Sequence, residues 1–209
     1  MKFSYIAIEG PMKTGKFKLA NILANEFDGG VIHDIVDNPF LKEFYKGKEN
    51  VALLTQLVFL INRYNQLTEL FQQRLFERTI VCDYIFEKDK IYAYQILSDN
   101  ELEIYNKIFD IFCKRVPKPD LVIYLQISDE NLIKRIRKSR NQYERYISEQ
   151  YLRDINEAFN YFFFHYTISP LLIINTDEIN IDEDKNLDIQ GIKSAIEEIK
   201  GGVKIYVPK

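Results

Sequence analysis

The segment Gly10-Pro11-Met12-Lys13-Thr14-Gly15-Lys16-Phe17 sets two glycines five positions apart with a lysine directly after the second. This nearly completes G-x-x-x-x-G-K-[ST], a pattern whose glycines let the backbone bend around a phosphate. Successive N–H groups and the start of the following helix then supply positive dipole to the anion. Gly10, Lys13, Thr14, Gly15 and Lys16 are the candidate phosphate-binding residues, and Lys16 adds a full charge beside a transferring phosphoryl group. The last position departs from the pattern, because Phe17 stands where a hydroxyl would ligate Mg²⁺. Thr14 and Ser4 carry the hydroxyls nearby in sequence, and sequence alone places neither at a metal. Phosphate binding survives this change better than phosphoryl transfer does, so weakened Mg²⁺-dependent catalysis is the expectation.

Such a loop works only between a strand and a helix. The β-branched run Phe3 to Glu9 precedes it and the helical Lys18-Leu19-Ala20-Asn21-Ile22-Leu23 follows it. Further short apolar runs recur at Val31 to Ile35, Thr79 to Cys82, Leu121 to Ile127 and Leu171 to Ile174, with long helical patterns between them. That spacing reads as an α/β chain with a mostly parallel sheet and crossover helices. Leu53, Leu57, Leu60, Tyr64, Leu67 and Phe71 recur at helical spacing, as do Tyr151, Ile155, Ala158, Phe162 and His165. Ser128 and Ser148 stand where helix caps belong. No internal repeat or Pro/Gly/Ser linker divides the chain, so residues 1–209 are expected to form one domain. The final Val203 to Val207 run is suited either to an edge strand or to subunit pairing.

With 46% hydrophobic and 28% charged residues among 209, disordered and low-complexity classes are excluded. A net charge of -3 gives no whole-chain pull on nucleic acid or on an anionic membrane, and neither partner is expected. No apolar run reaches the roughly 18 residues that span a bilayer, and Glu9 and Lys13 interrupt the start of the chain, so a cytoplasmic location is expected. Cys82 and Cys113 lack metal or disulfide spacing and read as buried free thiols. His33 and His165 read as packing or hydrogen-bonded histidines.

Beyond the loop come Asp34-Ile35-Val36-Asp37-Asn38-Pro39-Phe40-Leu41, Phe44-Tyr45, Thr55-Gln56, Arg63-Tyr64-Asn65-Gln66 and Asp83-Tyr84 through Ile91. Pro119-Asp120-Leu121 through Leu125, a basic stretch at 134–145, and Ser169-Pro170 through Thr176 follow in order. Together these resemble the deoxynucleoside kinase family, of the bacterial deoxyadenosine and deoxyguanosine kinase type. The resemblance covers nearly the whole chain. It implies a P-loop kinase fold with a five-stranded parallel sheet in the order 2-3-1-4-5, flanked by helices, with a helical lid. It also implies ATP-dependent phosphorylation of a deoxynucleoside 5′-hydroxyl, with ATP and Mg²⁺ as cofactors, in a homodimer or a heterodimer with a related subunit.

Residue by residue, the resemblance makes Asp34 the carboxylate that takes the 5′-hydroxyl proton, in a place where the family favours the longer Glu. Gln56 and Arg63 are seven residues apart, hence on one helical face; the Gln matches one that pairs with the base edge, and Arg63 with Asp89 matches a pair found in the purine-accepting members and in deoxycytidine kinase, a purine being the expected preference. Tyr45 and Glu144 match residues that meet the sugar 3′-hydroxyl. Asp83 matches an acid near the 5′-hydroxyl and Mg²⁺ and is the candidate metal ligand; Tyr84 follows it where many members have Arg. The segment 134–145 resembles the lid that closes over ATP, with Arg135 aligned and Arg140 as the substitute for a displaced arginine. The acidic stretch from Asp177 to Asp188 matches the segment around the adenine of ATP. Phe17 and the altered lid together motivate an alternative, a catalytically weak nucleotide-binding subunit that regulates a kinase partner. A nucleoside monophosphate kinase is disfavoured by the apolar Asn38-Pro39-Phe40-Leu41 segment.

Overall fold

The computed structural model describes residues 3–73, 79–138, 147–183 and 187–208. Alternation along the first strand, β1 (Tyr5–Glu9), divides the chain into two layers around one sheet. Tyr5 and Ala7 enter one apolar cluster, while Ile6 and Ile8 enter the other, as the two-residue period of a strand requires. On the first face lie α3 (Ala52–Gln73), α4 (Lys88–Ile96), α5 (Asp99–Cys113) and α7 (Glu149–Phe164), contributing Leu60, Ile91, Phe109 and Phe159 among others. On the second lie α1 (Lys16–Glu26) and α8 (Ile189–Glu198), contributing Leu19, Leu23, Ile192 and Ile196. Each such aliphatic side chain, when fully buried, stabilises the fold by about 1.5–3 kcal/mol.

The other strands are β2 (Gly30–Ile32), β3 (Ile80–Cys82), β4 (Leu121–Gln126), β5 (Leu171–Asn175) and β6 (Val203–Tyr206). All neighbours are parallel in the order β2-β3-β1-β4-β5-β6. The first five follow the expected order, and the sheet has six strands rather than five. The sixth forms because α8 docks its Ile192 and Ile196 face on the sheet and returns the chain alongside β5, pairing Val203 with Leu171 and Ile205 with Ile173. The Tyr206 hydroxyl also donates to Asp188 Oδ2 at 2.6 Å, tying β6 to the N-cap of α8. Of the two uses considered for this run, it takes the edge strand.

Strand β2 is shorter than the Val31 to Ile35 run predicted. After Ile32 the chain leaves the sheet, because the Asp34 N–H bonds to Asp83 Oδ1 at 2.7 Å and Val36 is carried out to 72% exposure. The short α2 (Leu41–Tyr45) follows. The Ser148 hydroxyl accepts from the Tyr151 N–H at 3.1 Å, and the Ser128 hydroxyl from the Asn131 N–H at 3.4 Å at the start of α6 (Asp129–Lys138). Cys82 is buried as expected, whereas Cys113 is only partly so; both are free thiols. Among the described residues no helix is long and apolar enough to cross a membrane.

Candidate active site

The carboxyl ends of β1, β2 and β3 open onto one cavity of 520 Å³. Its floor is the loop between β1 and α1. Gly15 there has φ of 92°, and a Cβ would lie 2.4 Å from the Cβ of Ile181, so only glycine fits. Thr14 is buried with its hydroxyl donating to the Pro11 carbonyl at 2.9 Å, and the Ser4 hydroxyl donates to Asp120 Oδ2 at 2.7 Å at the far end of β1. Neither replaces the hydroxyl missing at Phe17. Lys16 Nζ donates to the carbonyls of Gly10 and Pro11 at 2.6 and 2.7 Å and lies 4.0 Å from Glu9 Oε1. Burial pushes the Lys16 ammonium down to about 8, with Lys88 adding repulsion and Glu9 opposing the shift.

Glu9 is fully buried; its Oε1 accepts the Gly10 N–H at 2.9 Å and its Oε2 the Ile85 N–H at 3.1 Å. Burial raises its pKa despite Lys88 and Lys16. Just beyond β2, Asp34 Oδ1 accepts Arg63 Nε at 2.7 Å, while Oδ2 accepts Arg63 Nη2 at 2.9 Å and Lys88 Nζ at 2.8 Å. Burial alone would raise the Asp34 carboxyl, but the two cations outweigh it and hold it well below the usual range. The third guanidinium nitrogen of Arg63, Nη1, donates to Asp89 Oδ1. Because Arg63 is shared, burial dominates at Asp89 and its carboxyl is pushed up to about 6.

Gln56 and Arg63 do share the buried face of α3 and line this cavity with Asp34, Asp83, Asp89, Lys16 and Tyr45. Gln56 Oε1 and Asp89 Oδ2 are buried acceptors with no hydrogen-bond partner among the described residues. They give one end of the cavity two atoms that need donors from a ligand edge. Phe44, Phe59, Tyr92 and Tyr151 supply apolar surface to the same cavity. The Tyr45 hydroxyl lies 4.0 Å from Met12 Sδ.

Asp83 is held on both oxygens, by the Asp34 N–H at 2.7 Å and by His33 Nδ1 at 2.8 Å. The His33 ring is itself stacked on Phe17. His165 is hydrogen-bonded as expected, its Nδ1 lying 2.9 Å from the Tyr161 carbonyl. Phe17 has no oxygen to offer a metal, and no group of three acidic, histidine or cysteine residues suited to an ion exists among the described residues. The loop therefore lacks the hydroxyl ligand, and Asp83 is left as the candidate carboxylate for an ion that needs only one or two beside the substrate phosphates.

Arg135 is not brought to Asp34. It lines a neighbouring cleft of 330 Å³ with Lys13, Lys134, Lys138, Asp177 and Asp182. Its guanidinium bonds the carbonyls of Lys13 (3.3 Å), Thr176 and Ile179 (2.8 Å), joining the phosphate loop to the acidic segment after β5. Within that segment Asp177 Oδ1 accepts from the Ser128 N–H and hydroxyl, each at 2.8 Å. Burial lowers the Arg135 pKa against the pull of Asp177. Arg140 and Glu144 lie outside the described residues, as does the part of the lid segment beyond Lys138.

Glu9, Lys88 and the contact of His33 with Asp83 were not legible as site features. A lysine directly before Asp89, on the turn after a strand-end acid, was the available signal for Lys88.

Residues 6–199 match the family described as deoxynucleoside kinase. The chain is 35% identical over 153 residues to a deoxyguanosine kinase of Bacillus subtilis, covering 72% of this chain and 74% of that protein. It is 26% identical over 207 residues to a deoxyadenosine kinase of Lactobacillus acidophilus, covering 93% and 96%. The fold superposes on the structure of deoxyadenosine kinase from M. mycoides with bound dATP, with a TM-score of 0.76 at 20% identity over 93% of this chain and all of that one.

Proposed function

Because the chain belongs to the deoxynucleoside kinase family and is a phosphoryl transferase, we propose that it moves the γ-phosphoryl group of ATP to the 5′-hydroxyl of a purine deoxynucleoside. One observation carries this reading: a single cavity joins the phosphate-loop Lys16 to Asp34 and to the buried trio Gln56, Arg63 and Asp89. The relatives named above act on deoxyguanosine and deoxyadenosine, which supports the purine assignment. No comparison supports the alternative of a weak regulatory subunit.

In this reading Gly10 lets the loop bend, Lys13, Thr14 and Gly15 wrap the donor phosphates with backbone N–H groups, and Lys16 leaves the loop carbonyls to meet them. Asp34 orients the nucleophile. A carboxylate has roughly four acceptor sites, of which Arg63 and Lys88 use three; the remaining one, on Oδ1, takes the 5′-hydroxyl. The 5′-oxygen forms its bond to the γ-phosphorus as the bond from phosphorus to the ADP oxygen breaks, and the hydroxyl proton passes to Asp34. A carboxyl held so acidic accepts that proton late, which suits a loose transition state in which nucleophile charge develops little. The shorter Asp is thus held in place by the two nitrogens of Arg63 rather than by reach. Gln56, Arg63 and Asp89 read the base, Tyr45 meets the 3′-hydroxyl with Glu144 from the lid, and Arg135 and Arg140 serve the donor side.

Mg²⁺ would travel with ATP, with Asp83 as the candidate carboxylate to hold it, and would neutralise charge on the transferring phosphoryl group. The working unit is one domain, cytoplasmic, paired with a second copy or a related subunit. The groove rimmed by exposed Tyr94, Tyr161 and Ile168 between α4 and α7 is the apolar surface that supports pairing. An assay of the four common deoxynucleosides with ATP tests the reading: deoxyguanosine or deoxyadenosine is turned over fastest, and preference for thymidine or deoxycytidine overturns it.

A further inference from the structure

We propose that Lys88 is a catalytic residue, the acceptor-side counterpart of Lys16, contacting the 5′-oxygen and the phosphoryl group that arrives on it. This rests on the kinase reading above. Lys88 opens α4 and is 9% exposed, yet it lines the same cavity as Lys16 and Asp34. Its Nζ lies 2.8 Å from Asp34 Oδ2, the carboxylate whose other oxygen is left for the 5′-hydroxyl. A group that close to Asp34 is also within reach of the oxygen Asp34 orients.

Three features favour a ligand contact over simple neutralisation of Asp34. First, Arg63 already grips both Asp34 oxygens with two nitrogens, so Lys88 is not needed to hold that carboxylate in place. Second, an ammonium carries three hydrogens, and among the described residues Lys88 makes one hydrogen bond, to Asp34; Glu9 Oε1, at 4.0 Å, is too far to be another. The unused hydrogens belong to a group that faces the cavity. Third, Glu9 Oε1 is 4.0 Å from Lys16 Nζ and 4.0 Å from Lys88 Nζ, so one buried carboxylate neighbours both the donor-side and the acceptor-side ammonium and keeps them close together. Both cations line the cavity that the phosphoryl group crosses. Tyr84 supplies none, because it is fully buried with its hydroxyl on Gln66 and does not line the cavity.

Lys88 neither gives nor takes a proton in the transfer. Its charge meets the phosphoryl oxygens as they move from ADP to the 5′-oxygen, where a preorganised cation counts most. It stays on the product, so the structure makes Lys88 a discriminator between a deoxynucleoside and its 5′-monophosphate.

The test is calorimetric binding of deoxyguanosine, deoxyadenosine and their 5′-monophosphates to the natural protein, Lys88→Met and Lys88→Arg, with turnover and melting recorded for each. In Lys88→Met the monophosphates weaken at least about tenfold while the nucleosides stay within about threefold, because one charge-assisted contact to phosphate is gone. Turnover falls about 10²- to 10³-fold, the usual cost of one preorganised charge-stabilising group, and Lys88→Arg recovers much of both losses. Equal weakening of nucleoside and monophosphate, or turnover near that of the natural protein, overturns the proposal. If Lys88→Met does not fold, Lys88→Gln is read by the same ratio. A natural protein that phosphorylates none of the deoxynucleosides sinks the kinase reading instead, and the binding ratio still decides Lys88.

Discussion

Phe17 stacks on His33 with ring centroids 4.0 Å apart and planes at 24°, although Phe17 is 61% exposed. The residue that withholds a metal ligand from the phosphate loop therefore supports the imidazole that holds Asp83 at 2.8 Å. Phe17→Ser restores the hydroxyl and removes the stack. Half-maximal rate at fixed ATP is expected at lower Mg²⁺ and with higher turnover. Stability should change by less than about 1 kcal/mol, since an aromatic pair is worth roughly 0.5–1.5 kcal/mol and this one is largely in solvent. Initial rates across a Mg²⁺ titration check this; an unchanged turnover and metal requirement would show that the missing hydroxyl does not limit the enzyme.

Lys16 makes donor binding sensitive to alkali. Its ammonium is lowered to about 8 by burial and by Lys88, and it must be charged to meet phosphate. Bound phosphates restore a pKa near the ordinary lysine value, so ATP binding above pH 8 takes up a proton. Affinity is expected to fall toward about tenfold per pH unit above pH 8, as required when one proton is linked to binding. Calorimetry of ATP binding at pH 7, 8 and 9, in buffers of different ionisation enthalpy, measures both the affinity and the proton. A flat affinity across that range would contradict the assignment of Lys16.

Local pattern carried the loop, the five principal strands and the long α3 and α7, because each rests on spacing within one segment. The shared face of Gln56 and Arg63 was legible for the same reason, being two turns of one helix. The contacts that set the chemistry join distant segments. Arg63 on α3 grips Asp34 after β2 and Asp89 on α4, and Glu9 under the loop lies 4.0 Å from Lys88. No periodicity in the chain reports such meetings; they follow from how the sheet edge gathers its strand ends. The edge strand β6 was ambiguous because its pairing depends on where α8 docks, not on the apolar run itself.

Gly15→Ala separates close approach from backbone strain. Both Gly15 and Gly47 have positive φ, 92° and 75°, but a Cβ at Gly47 meets nothing within 4 Å, whereas one at Gly15 meets Ile181 at 2.4 Å. Gly47→Ala should cost about 1 kcal/mol, the lower end for a side chain held in a left-handed conformation. Gly15→Ala should cost about 1–3 kcal/mol more, the usual cost of overpacking added to that strain. It should also weaken ATP binding, because Gly15 precedes the first turn of α1. Denaturant unfolding of both variants checks the difference, and equal costs would mean that the Ile181 contact relaxes freely.

Asp89 offers a pH test of the buried trio. Its folded pKa, near 6, exceeds the value of about 3.9 expected in the unfolded chain. Between those values the folded state binds more protons than the unfolded one, so stability falls as pH rises from 4 to 6, and the penalty is fully present above 6. Asp89→Asn removes that penalty and also alters the hydrogen bond from Arg63, the second effect being the same at either pH. The informative quantity is therefore the change in unfolding free energy on mutation at pH 7.5 minus that at pH 4. It should favour the Asn variant by up to about 3 kcal/mol, at 1.36 kcal/mol per pKa unit. A difference of the opposite sign would mean that Arg63 keeps Asp89 ionised through the acid range. Asp89 would then present a permanent carboxylate to the base, and Asp89→Asn should weaken purine deoxynucleoside binding by the same factor at both pH values.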